Sequence, residues 1–183
     1  MPLHVLVGKN TFERFQAEQQ LAGPSPRIVR APELAPNELP NLLLGETLFG
    51  PPQPLVLRDS DEATTLQPLL MKLLDEPHED VVILSQNTLD NRTTFAKWLK
   101  QHADVQQFPL YNEKTRRTLL DTMQQWAQQQ GVQVTRAALS ELAVRLQDDQ
   151  WAIANELERL QVEGDITEEL VRQQLPLPPS SNA

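Results

Sequence analysis

Cysteine is missing from all 183 residues, which excludes disulfides, thiolate metal sites and cysteine nucleophiles whatever the compartment. Long apolar runs are missing as well: nothing approaches the roughly 18 to 20 apolar residues that a bilayer-spanning helix requires. The opening Met1-Pro2-Leu3-His4 lacks the basic stretch followed by an apolar one that marks a secretory leader. A soluble, cytoplasmic protein without a membrane partner is therefore expected. Positive charge is scarce, with 16 Lys and Arg against 25 Asp and Glu and a formal net charge of −9. The excess is even along the chain: nine basic against fourteen acidic residues up to position 110, seven against eleven beyond it. Neither half is a nucleic-acid clasp, because phosphate neutralisation by Lys and Arg supplies most non-specific DNA affinity. Contact with DNA is expected only through a local patch or inside a complex. The acidic residues otherwise read as a solvated surface.

What is present is a rhythm. Short aliphatic and β-branched runs recur at His4–Val7, Arg27–Val29, Leu55–Arg58, Val81–Leu84 and Val105–Phe108, with room for a helix between most of them, the pattern of a parallel sheet. Asn10 followed by Glu13 reads as a capping box, Phe12, Phe15 and Ala22 share a helix face, and Gly23-Pro24 ends that helix. The connection from Ala31 to Pro54 is broken by Pro32, Pro36, Pro40, Pro51, Pro52 and Pro54, leaving short helical pieces around Leu39–Leu44 and Thr47 in a partly exposed excursion. Leu66, Leu69, Leu70, Leu73 and Leu74 mark the next helix, and Phe95, Trp98, Leu99 and His102 the one after. Beyond Pro109 the strand signal stops. Helices are predicted over Asn112–Gln130, Thr135–Gln147, Asp149–Val162 and Thr167–Gln174, with Gly131 and Gly164 at C-cap positions. The stripes Leu119, Leu120, Met123, Trp126, Ala127 and Leu139, Leu142, Ala143, Leu146 face inward.

An α/β sheet followed by a small helical domain is the layout of many AAA+ ATPases, so the parts that bind phosphate decide between enzyme and scaffold. Gly8-Lys9-Asn10-Thr11 follows the first strand like the end of a P-loop, but Leu3 stands where the first Gly belongs and Asn10 where a Ser or Thr would ligate magnesium. Too few residues remain to build a nest of backbone N–H groups around an anion. The apolar strand Val81–Leu84 runs into Ser85-Gln86 rather than into the carboxylates that hold metal and activate water. His4, His78 and His102 are scattered and have no metal-ligand spacing. The pairs Asp148-Asp149 and Glu168-Glu169 read as helix N-terminal charges complementing the macrodipole. No catalytic residue, cofactor site or metal site is assigned.

Leu48-Phe49 stands out within the Pro-rich excursion, flanked by Gly45-Glu46-Thr47 and Gly50-Pro51-Pro52. Two large apolar side chains at such a turn either pack beneath the sheet or project as an anchor for a partner, and periodicity leaves both readings open. A pocket that took both would gain roughly 1.5 to 3 kcal/mol from each before the entropy of association is subtracted.

The surrounding text, "GETLFGPPQPLVLRDSD", resembles the segment of bacterial DNA polymerase III delta subunits in which a Leu-Phe pair precedes the central strand. "VVILSQNTLDNRTTFAKWLKQHADVQQF" is similar to that family's strand, Asp-x-Arg helix and Val-x-x-Phe strand, with Asp90, Arg92, Lys97 and Phe108 at matching places. The stretch from Leu119 to Val171 looks like the family's helical second domain, including the Asn155–Leu160 helix and Ile166-Thr167. The resemblance covers nearly the whole chain, with motifs of moderate specificity.

The resemblance implies a fold of the α/β class: a parallel five-stranded AAA+-like domain with a degenerate P-loop over residues 1–110, a small all-α helical lid domain over 111–174, and a disordered Pro/Ser tail over 175–183. It implies a non-catalytic clamp-loader subunit that binds and helps open the ring-shaped sliding clamp in DNA replication, with Leu48 and Phe49 as the clamp-binding residues and other clamp-loader subunits as partners. Two departures stand against it. The segment before Leu48 is shorter than the family's, and the family's third, collar-forming domain is absent, as expected of either a shortened chain or a reduced relative. The competing expectations are a divergent AAA+-type ATPase using Lys9, and a reduced adaptor that binds another replication or repair protein through the same excursion.

Overall fold

The computed structural model describes residues 3–44, 53–75 and 81–177. They divide into two compact units, Met1–Leu110 and Tyr111–Ala183. Five strands make up the sheet of the first: β1 (Leu3–Val7), β2 (Arg27–Arg30), β3 (Leu55–Arg58), β4 (Val82–Gln86) and β5 (Asp104–Gln107). All pair in parallel, in the order β2-β3-β4-β1-β5. The class predicted from the aliphatic rhythm is the class observed.

Strand alternation then dictates where the helices go. On one face Leu3, Val5, Val7, Leu55, Leu57, Val82 and Leu84 pack with residues of α2 (Leu39–Leu44), α3 (Gln67–Leu74) and α4 (Thr94–His102). On the other, Leu6, Val56 and Ile83 pack under Ala22 of α1 (Thr11–Ala22), with Ala17 and Leu21 against them. The split follows from the strand order. The step from β1 to β2 runs across the sheet in the opposite direction to every later step, and right-handed crossovers therefore put α1 on the opposite face from α2, α3 and α4. β4 is buried at all five positions, as the central strand of a sheet covered on both sides should be.

Local signals explain the ends. The Asn10 side chain accepts from the Glu13 N–H and caps α1, and the Thr93 side chain accepts from the Ala96 N–H and caps α4. The predicted helix at Leu66–Leu74 starts as a 3-10 turn at Thr64–Leu66 and becomes α-helical at Gln67, with Pro68 in its first turn, where its missing N–H leaves no intrahelical bond unmade.

The second unit is all helical: α5 (Arg116–Gln129), α6 (Arg136–Arg145), α7 (Gln150–Leu160) and α8 (Glu168–Gln174), joined by an isolated parallel bridge between Val134 and Ile166. Leu119, Met123, Trp126, Leu139, Leu142, Ile153, Leu157 and Leu160 form its buried interior, while Leu120 and Leu146 are only half buried. Thr135, Asp149 and Thr167 each cap a helix through the side chain. Three predicted boundaries shift, the first being α7, which ends at Leu160 and passes into a 3-10 turn at Gln161–Glu163 rather than running to Val162. α5 is preceded by a 3-10 turn at Glu113–Thr115 rather than starting at Asn112, and α6 stops two residues short of Gln147 because Gln147 and Asp148 both take the left-handed conformation, φ 54° and 61°. Their turn is closed by the Asp148 N–H donating to the Ala143 carbonyl at 2.8 Å. No helix among the described residues is long and apolar enough to cross a membrane.

Candidate functional site

In an open parallel α/β sheet the place to look for a site is outside the carboxyl ends of the strands where the chain reverses its direction of travel, here around β1. Only Gly8 and Lys9 separate β1 from Asn10, the cap of α1. This link is pulled tight by the chain itself. The Gly8 N–H donates to the Gln86 carbonyl at 3.1 Å, the Asn10 N–H to the Phe108 carbonyl at 3.0 Å, and the Phe108 N–H to the Val7 carbonyl at 2.7 Å. Gly8 has φ +143°, and a Cβ there would lie 2.1 Å from the Phe108 carbonyl oxygen, so no side chain fits.

Polar groups fill the neighbouring strand ends. Ser60 Oγ donates to Gln86 Oε1 at 2.6 Å, Gln86 Nε2 donates to the Thr88 carbonyl at 2.9 Å, and Asp61 Oδ2 accepts from the Thr88 N–H and hydroxyl at 3.0 and 2.9 Å. This network satisfies the side chain of Gln86, which is polar and buried inside β4. Arg14 Nη1 donates to the Gly8 carbonyl at 2.9 Å and to Asn87 Oδ1 at 3.0 Å. Behind it, Glu18 is 2% exposed and is paired with the Arg58 guanidinium, which also lies 6.0 Å from the Phe15 ring centroid. That hydrogen bond holds the Arg58 pKa above its ordinary value against the opposing effect of burial.

β3 supplies what the sequence reading sought at the end of β4. The apolar run Leu55–Leu57 leads into Arg58-Asp59-Ser60-Asp61, so the carboxylates stand one strand over from Ser85-Gln86. The signal was an apolar strand ending in acids, and it was visible in the sequence; assigning it needed the strand order. Both acids are engaged. Asp59, in the left-handed region at φ 58°, pairs with Arg30 at 3.0 Å, and Asp61 holds Thr88, leaving its Oδ1 buried and without a hydrogen-bond partner.

The AAA+ layout implies nucleotide and magnesium, and the residues present do not fit them. The amides of Gly8 and Asn10 already donate to carbonyls, the side chain at the magnesium-ligating position is the amide of Asn10 acting as a helix cap, and Asp59 is occupied by Arg30. Beside this knot, Lys9 contributes to an open cleft of about 340 Å³ whose walls include Asn87, Asn91, Gln107 and Leu110.

The other predicted residues fall elsewhere. His4 bonds Asp104 at 3.3 Å, and the Asp104 carboxyl is held below its usual range by Gln106 first and by His4 second. His102 stacks on Trp98 with ring centroids 4.7 Å apart and bonds its carbonyl at 2.8 Å, a structural role. His78, Leu48 and Phe49 lie outside the described residues. Among the described residues no three His, Asp or Glu side chains converge on a point where a metal ion would sit. Asp149 and Glu168 do occupy helix N-termini, while Asp148 turns to Arg116 at 3.0 Å.

No protein-family model and no curated protein sequence matches the chain. Solved structures do. The Bacillus subtilis DNA clamp loader delta protein YqeN is similar with a TM-score of 0.70 and 16% identity, over 97% of this chain and 59% of that one. The Thermotoga maritima RuvB Holliday junction branch migration motor is similar with a TM-score of 0.56 and 14% identity, over 93% of this chain and 60% of that one. This chain thus spans less than two thirds of the length of either. At such identities the likeness fixes the architecture: the chain has an AAA+-like α/β fold, the one expected from its resemblance to clamp-loader delta subunits.

Proposed function

We propose that this chain is a non-catalytic, delta-like clamp-loader protein that binds a sliding clamp and helps to open it during DNA replication. The observation that carries the reading is the tied-off link after β1. An AAA+-like sheet whose Gly8 and Asn10 amides are bonded to its own carbonyls is a scaffold that has kept the architecture of a nucleotide motor without its phosphate grip. Such a scaffold acts through its surface. Leu48 and Phe49 are the contact residues in this reading, entering an apolar pocket of the clamp, with residues 1–110 as the AAA+-like domain, 111–174 as the helical lid domain, and other loader subunits as further partners. With few basic residues to spare, the chain meets DNA within the complex.

The experiment is a pull-down with the sliding clamp of the same organism. The L48A/F49A double variant is expected to lose the clamp while melting as the parent does; clamp retained by the folded double variant removes the proposed contact. Recovery of a different replication or repair protein, and no clamp, from the native complex would favour an adaptor. The second reading, a divergent ATPase using Lys9, draws on one specific observation, the acids Asp59 and Asp61 after β3. Calorimetry with magnesium and ATP decides it: a saturable heat supports the ATPase, a flat titration the scaffold.

A further inference from the structure

Arg14 is in an unfavourable place. It sits one turn into α1, where the positive end of the helix dipole disfavours a cation and acidic residues are the usual choice. Burial adds to the cost and lowers the guanidinium pKa from its ordinary value, against the fields of Asp59, Asp61 and Glu18, which raise it, and with that of Arg58, which lowers it further. A residue that breaks a local rule and is supported by two acids from the loop after β3 and a third, Glu18, from its own helix marks a functional position.

What Arg14 does there is geometric. The β1–β4 ladder ends at the pair Val7 and Gln86, with one further bond from Gly8 to Gln86. Beyond that point the two strand-end loops are joined by the Arg14 guanidinium, bonded to the Gly8 carbonyl on one side and to the Asn87 side chain on the other. In a working phosphate loop a bound nucleotide connects the loop after the first strand to the neighbouring strand ends. Here the bridge belongs to the protein. Charge-assisted bonds of this kind are also stronger than neutral ones and suited to holding two loops in register.

We propose that Arg14 is a built-in substitute for nucleotide, a fastener that fixes the loops after β1 and β4 in one arrangement whether or not ATP is present. The proposal shares with the clamp-binding reading only the misfit of the phosphate loop. Its test uses no clamp, so either idea can fail alone.

The test is amide hydrogen exchange on the full chain, with and without magnesium and ATP, for the parent, R14A, N87A and R14A/N87A. In the parent, ATP should leave exchange at Gly8, Asn10 and Thr88 unchanged. In R14A those three amides should exchange about ten- to a hundred-fold faster, the range set by losing bonds to a charged donor, while Val56 and Ile83 in the middle of the sheet keep their protection. N87A should reproduce a smaller version, and the double variant should go no further than R14A, because both substitutions cut the same bridge. Unchanged exchange at the three amides in R14A, an equal rise across the whole sheet, or ATP-dependent protection in the parent would each overturn the proposal. Should R14A not fold, N87A removes a single acceptor and carries the same readout alone.

Discussion

Three positions, Gly8, Glu18 and Asp90, can each be tested singly. Gly8 combines φ +143° with a carbonyl 2.1 Å from where a Cβ would stand. Gly8→Ala should cost about 2 to 4 kcal/mol, from backbone strain and forced displacement of the β5 end together, measured by urea unfolding. Glu18 is buried and bound through both carboxylate oxygens by Arg58, whose own side chain is 36% exposed. Because water can reach the stranded guanidinium, Glu18→Ala should cost about 1.5 to 3 kcal/mol, below the range for a fully buried pair, and a double-mutant cycle with Arg58→Ala should recover part of it. Asp90 offers a pH readout. Its carboxylate accepts from the Arg92 side chain and backbone, which lowers its pKa to about 2, the side-chain bond being the larger cause. A depressed folded-state pKa stabilises above the ordinary carboxylate range and loses that contribution as pH falls through about 2. In Arg92→Ala the Asp90 carboxyl carbon should titrate at a higher pH in an NMR titration, nearer the unperturbed value, with the backbone bond still keeping it somewhat below.

At the level of elements, α1 depends on its first residue. Asn10 is 3% exposed, caps the helix through Oδ1, and buries an Nδ2 that has no partner. Asn10→Ala should therefore lower stability by about 0.5 to 2 kcal/mol in thermal or urea unfolding, while Asn10→Asp, which keeps the capping oxygen and replaces the orphan donor by an acceptor, should retain most of the cap. Elements with strong periodicity were legible in the sequence for physical reasons. β1, β3 and β4 are aliphatic because they are covered on both faces, and α4 shows its buried face through Phe95 and Leu99. The end of α6 was not legible, since nothing in Gln147-Asp148 announces two consecutive left-handed residues; the turn is set by the bond from Asp148 to Ala143. The acids after β3 were in plain view, yet that β4 is inserted between β3 and β1 is a property of pairing that the linear order of the strands does not show. Arg14 was hidden for the same reason, because its partners at Gly8 and Asn87 are contributed by loops that only the sheet brings together.

For the whole molecule, charge makes the clearest prediction. A chain of net charge −9, with acids in excess in both halves, should bind non-specific duplex DNA more weakly than about 10⁻⁴ M at physiological salt when alone, as measured by fluorescence anisotropy. DNA retained only when a clamp or loader subunits are added would place the contact in the assembly. The fold also bears on what could be engineered into the chain. On the scaffold reading proposed above, introducing hydrolysis by swapping in a serine and a glutamate would change the functional groups and leave the two-residue link after β1 still clinched against the backbone of Phe108. A gain-of-function variant would need inserted length ahead of α1, enough main chain to curl around an incoming phosphate, so the barrier to making this protein an engine is one of geometry before it is one of chemistry.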